Sequence, residues 1–379
     1  MNRGGKAAHG GGVPPSGLGV VSVGTAFPRL RLASDELKAA WGAAPKDIDE
    51  RCIPAFDEDA FTLAVEASRR ALSVRGLAPA SVVTIVRTFG GPRLDALRFQ
   101  DALGAAEAGV VALEPCHGAG VLAAAATLAG PVLWVASSVP DGSPGSAEEA
   151  RQGAGAVALV LGPGGAPLPA TVGVAPWRRL TGDLGAAQPF ADVVHALREA
   201  KASVAGLAVE ESLAGGRRVS YVRTLQERRV LAAADPLPSE PMGAFVPWGT
   251  YEASIPARWR LEGARCAACG RGWLPAPTRC PDCGGQTRPH AFAPRGTVHA
   301  VTVIGRGAAP SEFAEQQRAV GDYAVAVVEL EHGARVVGQV TDVEPRTLKV
   351  GDEVEPVLRR LYEQQGAVRY GQKWRPRGA

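Results

Sequence analysis

The sequence predicts an α/β layered N-terminal part, then a small metal ribbon, then an all-β barrel. Three observations carry this reading. From Gly17 to Gly162, short β-branched runs alternate with longer helical stretches. Cys266, Cys269, Cys280 and Cys283 stand in a C-x2-C-x10-C-x2-C array. After His290, short strands recur at even spacing between turns, as in a five-stranded barrel of the OB type.

The elements follow in order. Residues 1–16, glycine- and proline-rich without an apolar stretch, predict a disordered leader rather than a targeting signal. Gly19–Gly24 reads as a strand, and Ser34 as the cap of a helix through Trp41. Asp59 to Leu72 has helical apolar spacing and ends at Gly76. Strands are expected at Val82–Thr88, Gly109–Leu113, Pro131–Ser137 and Ala156–Leu161, with helices between the first three. The uncharged stretch Gly118 to Val139 is cut by Pro131 into an alanine-rich half and a β-type half. It predicts a buried helix and strand rather than a membrane span, and a cytoplasmic protein.

Phe190 to Leu207 reads as an amphipathic helix with Val193, Leu197, Val204 and Leu207 on related faces. Prolines at 236, 238, 241, 247 and 256 mark residues 232–256 as an extended linker. The ribbon is expected at 257–289 and the barrel at 290–379, with strands at Gly296–Ile304, Tyr323–Glu331, Ala334–Val343 and Asp352–Leu358. His290, His299 and His332 show no ligand spacing. A formal charge of +3 and 6 % aromatic residues argue against a nucleic-acid platform, so no nucleic-acid partner is expected.

The cysteine array dictates a chemistry by spacing alone. Two tight knuckles brought together offer four thiolates around one Zn²⁺, leaving no position open for water, so a structural rather than a catalytic ion is expected. Paired disulfides, the alternative, need an oxidising compartment.

Cys266-Ala-Ala-Cys269-Gly270, Pro275, Cys280-Pro-Asp-Cys283-Gly284, Val327-Val-Glu-Leu330 and the ending Tyr370-Gly-Gln-Lys373-Trp-Arg-Pro376 resemble the acyl-CoA-associated zinc-ribbon/OB-fold family over about residues 252–379. Members of that family accompany thiolase-type enzymes. Residues 17–231, through Gly19–Gly24, Asp57 to Ala67 and Leu113-Glu-Pro-Cys116-His-Gly-Ala-Gly120, resemble the first half of 3-hydroxy-3-methylglutaryl-CoA synthases of the thiolase superfamily, with the second half truncated. The resemblances imply a partial thiolase-like domain fused to a zinc ribbon and an OB-fold barrel. They also imply a coenzyme A thioester as ligand or substrate, and a thiolase-type partner or a second copy covering the face that the missing half leaves bare.

Cys116 follows an apolar strand and opens an alanine-rich stretch, where a helix N-terminus would favour its thiolate. It reads as a nucleophile, a relic of one, or a packed thiol. His117 would point about 100° away on a helix and is a poor candidate for its base, although an ungapped fit of Ala119-Gly120 puts His117 on the family's cysteine position. Where the family carries an acidic residue the chain reads Thr88-Phe89-Gly90-Gly91, and His195 is the one histidine available for the family's catalytic imidazole. Arg369, Lys373 and Arg375, with Arg377, form a basic tail that could meet CoA phosphates or simply face solvent. Two functions remain open: an acyl-CoA-binding scaffold subunit of a thiolase-type complex with a degenerate active site, or an acyltransferase condensing acyl-CoA through Cys116.

Overall fold

The computed structural model describes residues 18–88, 94–113, 130–169, 172–221, 246–364 and 367–377. The N-terminal part contains β1 (Leu18–Ala26), β2 (Leu30–Ala33), α1 (Ser34–Trp41), β3 (Glu50–Ile53), α2 (Ala60–Ser73), β4 (Thr84–Thr88), α3 (Leu94–Leu103), β5 (Gly109–Ala112), β6 (Val132–Ser138), β7 (Gly155–Pro163), α4 (Gln188–Glu199) and β8 (Arg217–Arg218). Five strands form a mixed sheet in the order β1-β7-β6-β4-β5. β4, α3 and β5 make a parallel crossover unit, whereas β1, β7 and β6 run antiparallel. A smaller sheet orders β3-β2-β8.

Strand composition follows from two-sided burial. Along β6, Leu133 and Val135 join one core while Val132, Trp134 and Ala136 join another; β7 alternates in the same way through Ala158 and Leu159. Both faces being covered, the strands are nearly continuous apolar runs. α2 and α3 cover the first face. α2 starts at Asp59, whose carboxylate accepts the Thr62 N–H at 2.8 Å while the Thr62 hydroxyl accepts the Asp59 N–H at 2.9 Å. At Gly24 an added Cβ would lie 2.1 Å from the Ala67 carbonyl, so β1 crosses α2 at backbone contact.

The second face is covered by α4 through Phe190, Val193, Val194 and Leu197. α4 is shorter than its periodicity implied. Lys201 at φ +50° ends it, and Val204 and Leu207 continue on the same face without helical backbone. The apolar period recorded burial, not helix length. Ser34 also differs: it is the first helical residue, and its hydroxyl donates to the Ile48 carbonyl instead of capping.

Of the expected linker, 232–245 lie outside the described residues. The stretch 246–256 is not extended: it carries α5 (Trp248–Ala253) and the start of α6 (Ile255–Arg260). Pro247 precedes α5 and Pro256 sits in the first turn of α6, where a missing N–H costs nothing. Tyr251, Ile255 and Trp259 are buried in the same core as Phe61 and Phe99.

The ribbon is a three-stranded sheet, β10 (Gly272–Trp273), β9 (Glu262–Cys266) and β11 (Thr287–Ala291), with β9 central. Five strands then close a barrel: β12 (Gly296–Ile304), β13 (Tyr323–Glu329), β14 (Arg335–Val340), β15 (Glu353–Gln364) and β16 (Ala367–Pro376), in the order β12-β13-β14-β16-β15. The closure joins β14 to β16 in parallel at Val340 and Trp374, and β15 to β12 at Val354 and Gly296. The fifth strand is the segment that reads from sequence as a basic tail.

Candidate functional site

The four cysteines converge. Gly270 and Gly284, at φ +78° and +70°, let each knuckle turn back, so that the Cys266 and Cys280 carbonyls accept the glycine N–H groups at 3.1 and 2.8 Å. All four sulfurs lie within 4.8 Å of one another, with Cys266 to Cys283 and Cys269 to Cys280 at 3.6 Å. A tetrahedron with metal–sulfur bonds of about 2.3 Å has edges of about 3.8 Å, whereas a disulfide needs about 2.05 Å. The cluster therefore fits a zinc ribbon and not a pair of disulfides. The Cys269 N–H draws the Cys266 thiol down to about 6. The Cys269 thiol is pushed up to about 12: the Arg271 N–H lowers it, but the neighbouring sulfurs prevail. Four thiolates this close repel, and a dication is what lets them ionise together.

The expected catalytic residues fare differently. Cys116 and His117 lie outside the described residues. His195, half-buried on α4, stands edge-on to Trp177 at 5.7 Å between ring centroids and has no carboxylate partner among the described residues. It is a packed helix-face histidine. Cys52 is fully buried, and burial pushes its thiol up to about 12, far from a nucleophile's range.

Arg369, Lys373 and Arg375, read from the sequence as a tail meeting either CoA phosphates or solvent, point inward and are at most 7 % exposed. Lys373 Nζ lies 2.8 Å from Asp57 Oδ2, and Arg375 pairs with Glu66 at 2.8 Å and Glu355 at 2.6 Å. Arg369 stacks over Trp248 and Tyr251 at 4.2 and 4.6 Å. Between them Arg359, 1 % exposed, reaches Glu58 at 2.9 Å, Asp342 at 3.2 Å and Glu66 at 3.3 Å. Five carboxylates (Asp57, Glu58, Glu66, Asp342 and Glu355) thus face three barrel cations: Arg359, Lys373 and Arg375. Burial lifts Glu58 to about 8, Arg359 only partly opposing it, so Glu58 is the carboxyl that keeps its proton. Burial also works against ionised Glu66, but Arg375, Arg70 and Arg359 hold it well below the usual carboxylate range. Around this network the Tyr370 carbonyl accepts from Tyr251 Oη at 3.1 Å and Trp259 Nε1 at 2.9 Å, and Tyr370 Oη donates to Asp59 at 2.8 Å. The seam joining the α/β part to the barrel is built like a core.

A cavity of about 570 Å³ opens between α6, the ribbon and the barrel. Leu274, Tyr323, Val336 and Trp374 supply apolar wall, and Arg258 is exposed beside them. Gln339, 9 % exposed, also lines it, and both polar atoms of its amide lack a hydrogen-bond partner among the described residues. Such an orphaned amide costs stability where it stands, roughly 1–3 kcal/mol per group. Nothing in the sequence around Gln339 signals this.

Residues 290–359 match the family model described as the ChsH2 C-terminal OB-fold domain. A DUF35 domain-containing scaffold protein of Methanothermobacter thermautotrophicus is 37 % identical over 127 residues, which cover 32 % of this chain and 91 % of that protein. The chain belongs to the DUF35 domain-containing scaffold protein family. The match to that relative covers only 32 % of this chain, and a second likeness runs to hydroxymethylglutaryl-CoA synthases. That of Pyrococcus horikoshii is 28 % identical over 168 residues, covering 39 % of this chain and 46 % of the synthase. The chain thus spans about half the length of those synthases, and its N-terminal domain is a partial thiolase-like α/β domain. A solved HMG-CoA synthase complexed with CoA is 19 % identical, with a TM-score of 0.35, over 39 % of this chain and 42 % of that one. Among the described residues, no helix is long and apolar enough to cross a membrane.

Proposed function

We propose that this family member is an accessory scaffold subunit of a thiolase-type condensing system, and that it holds an acyl-CoA thioester with the pantetheine arm in the cavity beside Gln339. The orphaned Gln339 amide carries the reading. A pantetheine arm is an apolar chain interrupted by amides, and an amide offers one N–H and one C=O to the carbonyl and NH₂ of Gln339. The apolar wall takes the methylenes, and Arg258 at the rim suits a phosphate. The four cysteines would hold a structural Zn²⁺ that keeps Leu274 and Pro275 of the ribbon against the cavity. The seam fixes the thiolase-like domain to this site, so the two move as one body when a partner enzyme docks.

In this reading the synthase-like active site is degenerate. After β4 the sequence Thr88-Phe89-Gly90-Gly91 brings no carboxylate, and His195 is engaged in packing. The test is calorimetric titration of the full chain with CoA and acetyl-CoA, beside Gln339→Leu. Two hydrogen bonds at about 1 kcal/mol each predict roughly thirtyfold weaker binding in the variant. Equal affinity in both proteins, or no binding by the parent at millimolar CoA, overturns the proposal.

A further inference from the structure

Where the ribbon meets the barrel, three residues without any ligand spacing in the sequence come together. His290 lies on β11, and Glu331 and His332 lie on the turn between β13 and β14. One ligand atom from each lies within 4.8 Å of the others. We propose that His290, Glu331 and His332 form a second metal site, distinct from the four cysteines, that takes a late first-row divalent cation and clips the ribbon to the barrel.

Two imidazoles and a carboxylate suit Zn²⁺ and its neighbours Co²⁺ and Ni²⁺, not Mg²⁺ or Ca²⁺. Three protein ligands leave the remaining position to solvent, unlike the closed cysteine site. The geometry is nearly made. His290 Nε2 stands 3.0 Å from Glu331 Oε1, close to the edge of about 3.3 Å that metal–ligand bonds of about 2.0–2.1 Å require. An exposed His332 ring closes the rest by a small swing about its side-chain bonds. The Glu331 oxygen also accepts the Ala293 N–H at 3.1 Å, the outer hydrogen bond by which ligating carboxylates are commonly aimed. His290 is steadied edge-on by Phe292, at 4.8 Å between centroids.

His332 adopts φ +58°, ψ 22°, a left-handed conformation that is strained for a non-glycine residue. Gly333 follows at φ +69°, so His332 and Gly333 are the two left-handed central residues of the tight turn joining β13 to β14. Adjacent residues of an extended strand point to opposite sides; the left-handed turn is what lets Glu331 and His332 converge on His290. Arg271, whose side chain passes near Gly333, opposes a cation there, and Asp282 at 3.8 Å from its guanidinium offsets part of that charge.

The test is metal stoichiometry of the full chain by native mass spectrometry and Co²⁺ titration. The expected result is two equivalents per chain: one with intense sulfur-to-cobalt charge-transfer bands, one with only the weak ligand-field bands of nitrogen and oxygen donors. His332→Gly removes a ligand while relieving the left-handed strain, so it folds at least as well as the parent. It should lose the second equivalent, with affinity falling more than about a hundredfold, beyond what loss of an outer partner costs. His290→Ala should do the same and leave the charge-transfer bands intact. A parent that saturates at one equivalent makes the cluster a hydrogen-bonded His–Glu pair only, and a His332→Gly protein that still binds two puts the second ion elsewhere. Either outcome overturns the proposal.

Discussion

Lys373→Met is the perturbation that most sharply distinguishes a buried seam from an exposed basic tail. Lys373 is 1 % exposed, its ammonium lies 2.8 Å from Asp57 Oδ2, and it sits 4.6 Å over the Phe56 ring. Methionine nearly keeps the volume and removes only the charge. Asp57 is then left buried, with the Thr341 hydroxyl at 3.2 Å and Arg359 at 3.9 Å as its remaining support. Breaking a buried pair from one side costs about 3–5 kcal/mol, because the surviving charge stays desolvated. Against a domain stability of about 5–15 kcal/mol, that is a large fraction. Urea unfolding followed by tryptophan fluorescence reads it, since Trp259 and Trp374 are both buried, one on each side of the seam. Asp57→Asn should cost a similar amount alone, and the double variant less than the sum, with a coupling of about 2 kcal/mol or more. A Lys373→Met protein within about 1 kcal/mol of the parent, or one that loses CoA affinity at unchanged stability, refutes the burial argument and returns Lys373 to the phosphate-binding role.

Glu58 predicts a pH dependence. Its folded pKa of about 8 lies above the ordinary carboxylate value of about 4.3, so the stability it contributes is fully present below about pH 4.3 and is lost as pH rises through about 8. Glu58→Gln should flatten the fall in unfolding free energy across that window, and superimposable pH curves for variant and parent contradict the assignment. Glu66, held low, acts in the opposite sense and only below the ordinary carboxylate range. At the ribbon, Cys280→Ser should remove the charge-transfer-active metal equivalent and the hydrogen-exchange protection of β9 to β11. Retained protection after treatment with a strong chelator would argue against a structural metal.

Much of the architecture was legible because the physical signals were local. The strands buried on both faces betray themselves as apolar runs at Val132–Ser138 and Gly155–Pro163, and the knuckle spacing needs no neighbours to interpret. The seam was not legible. Lys373 and Arg375 on β16 look like a solvated face, since their partners Asp57 and Glu66 stand on the far side of the sequence. The one local hint is Glu66 inside the otherwise apolar run Leu63-Ala-Val-Glu-Ala67 of α2. Trp248 and Tyr251 fell in a proline-rich stretch, where composition suggested a linker but helix-starting prolines were the cause. Gln339 and the His290, Glu331 and His332 cluster depend on the closure of the barrel and its contact with the ribbon, which no spacing announces.

Whether the chain shelters a thioester or attacks it is settled most directly by mass. The purified full chain is incubated with acetyl-CoA and weighed twice, once under native conditions and once denatured. A scaffold with a degenerate active site retains intact acetyl-CoA in the native spectrum and shows no added mass after denaturation. A covalent acetyl adduct on the denatured chain, present in the parent and absent from Cys116→Ala, contradicts the account and makes the protein an acyltransferase.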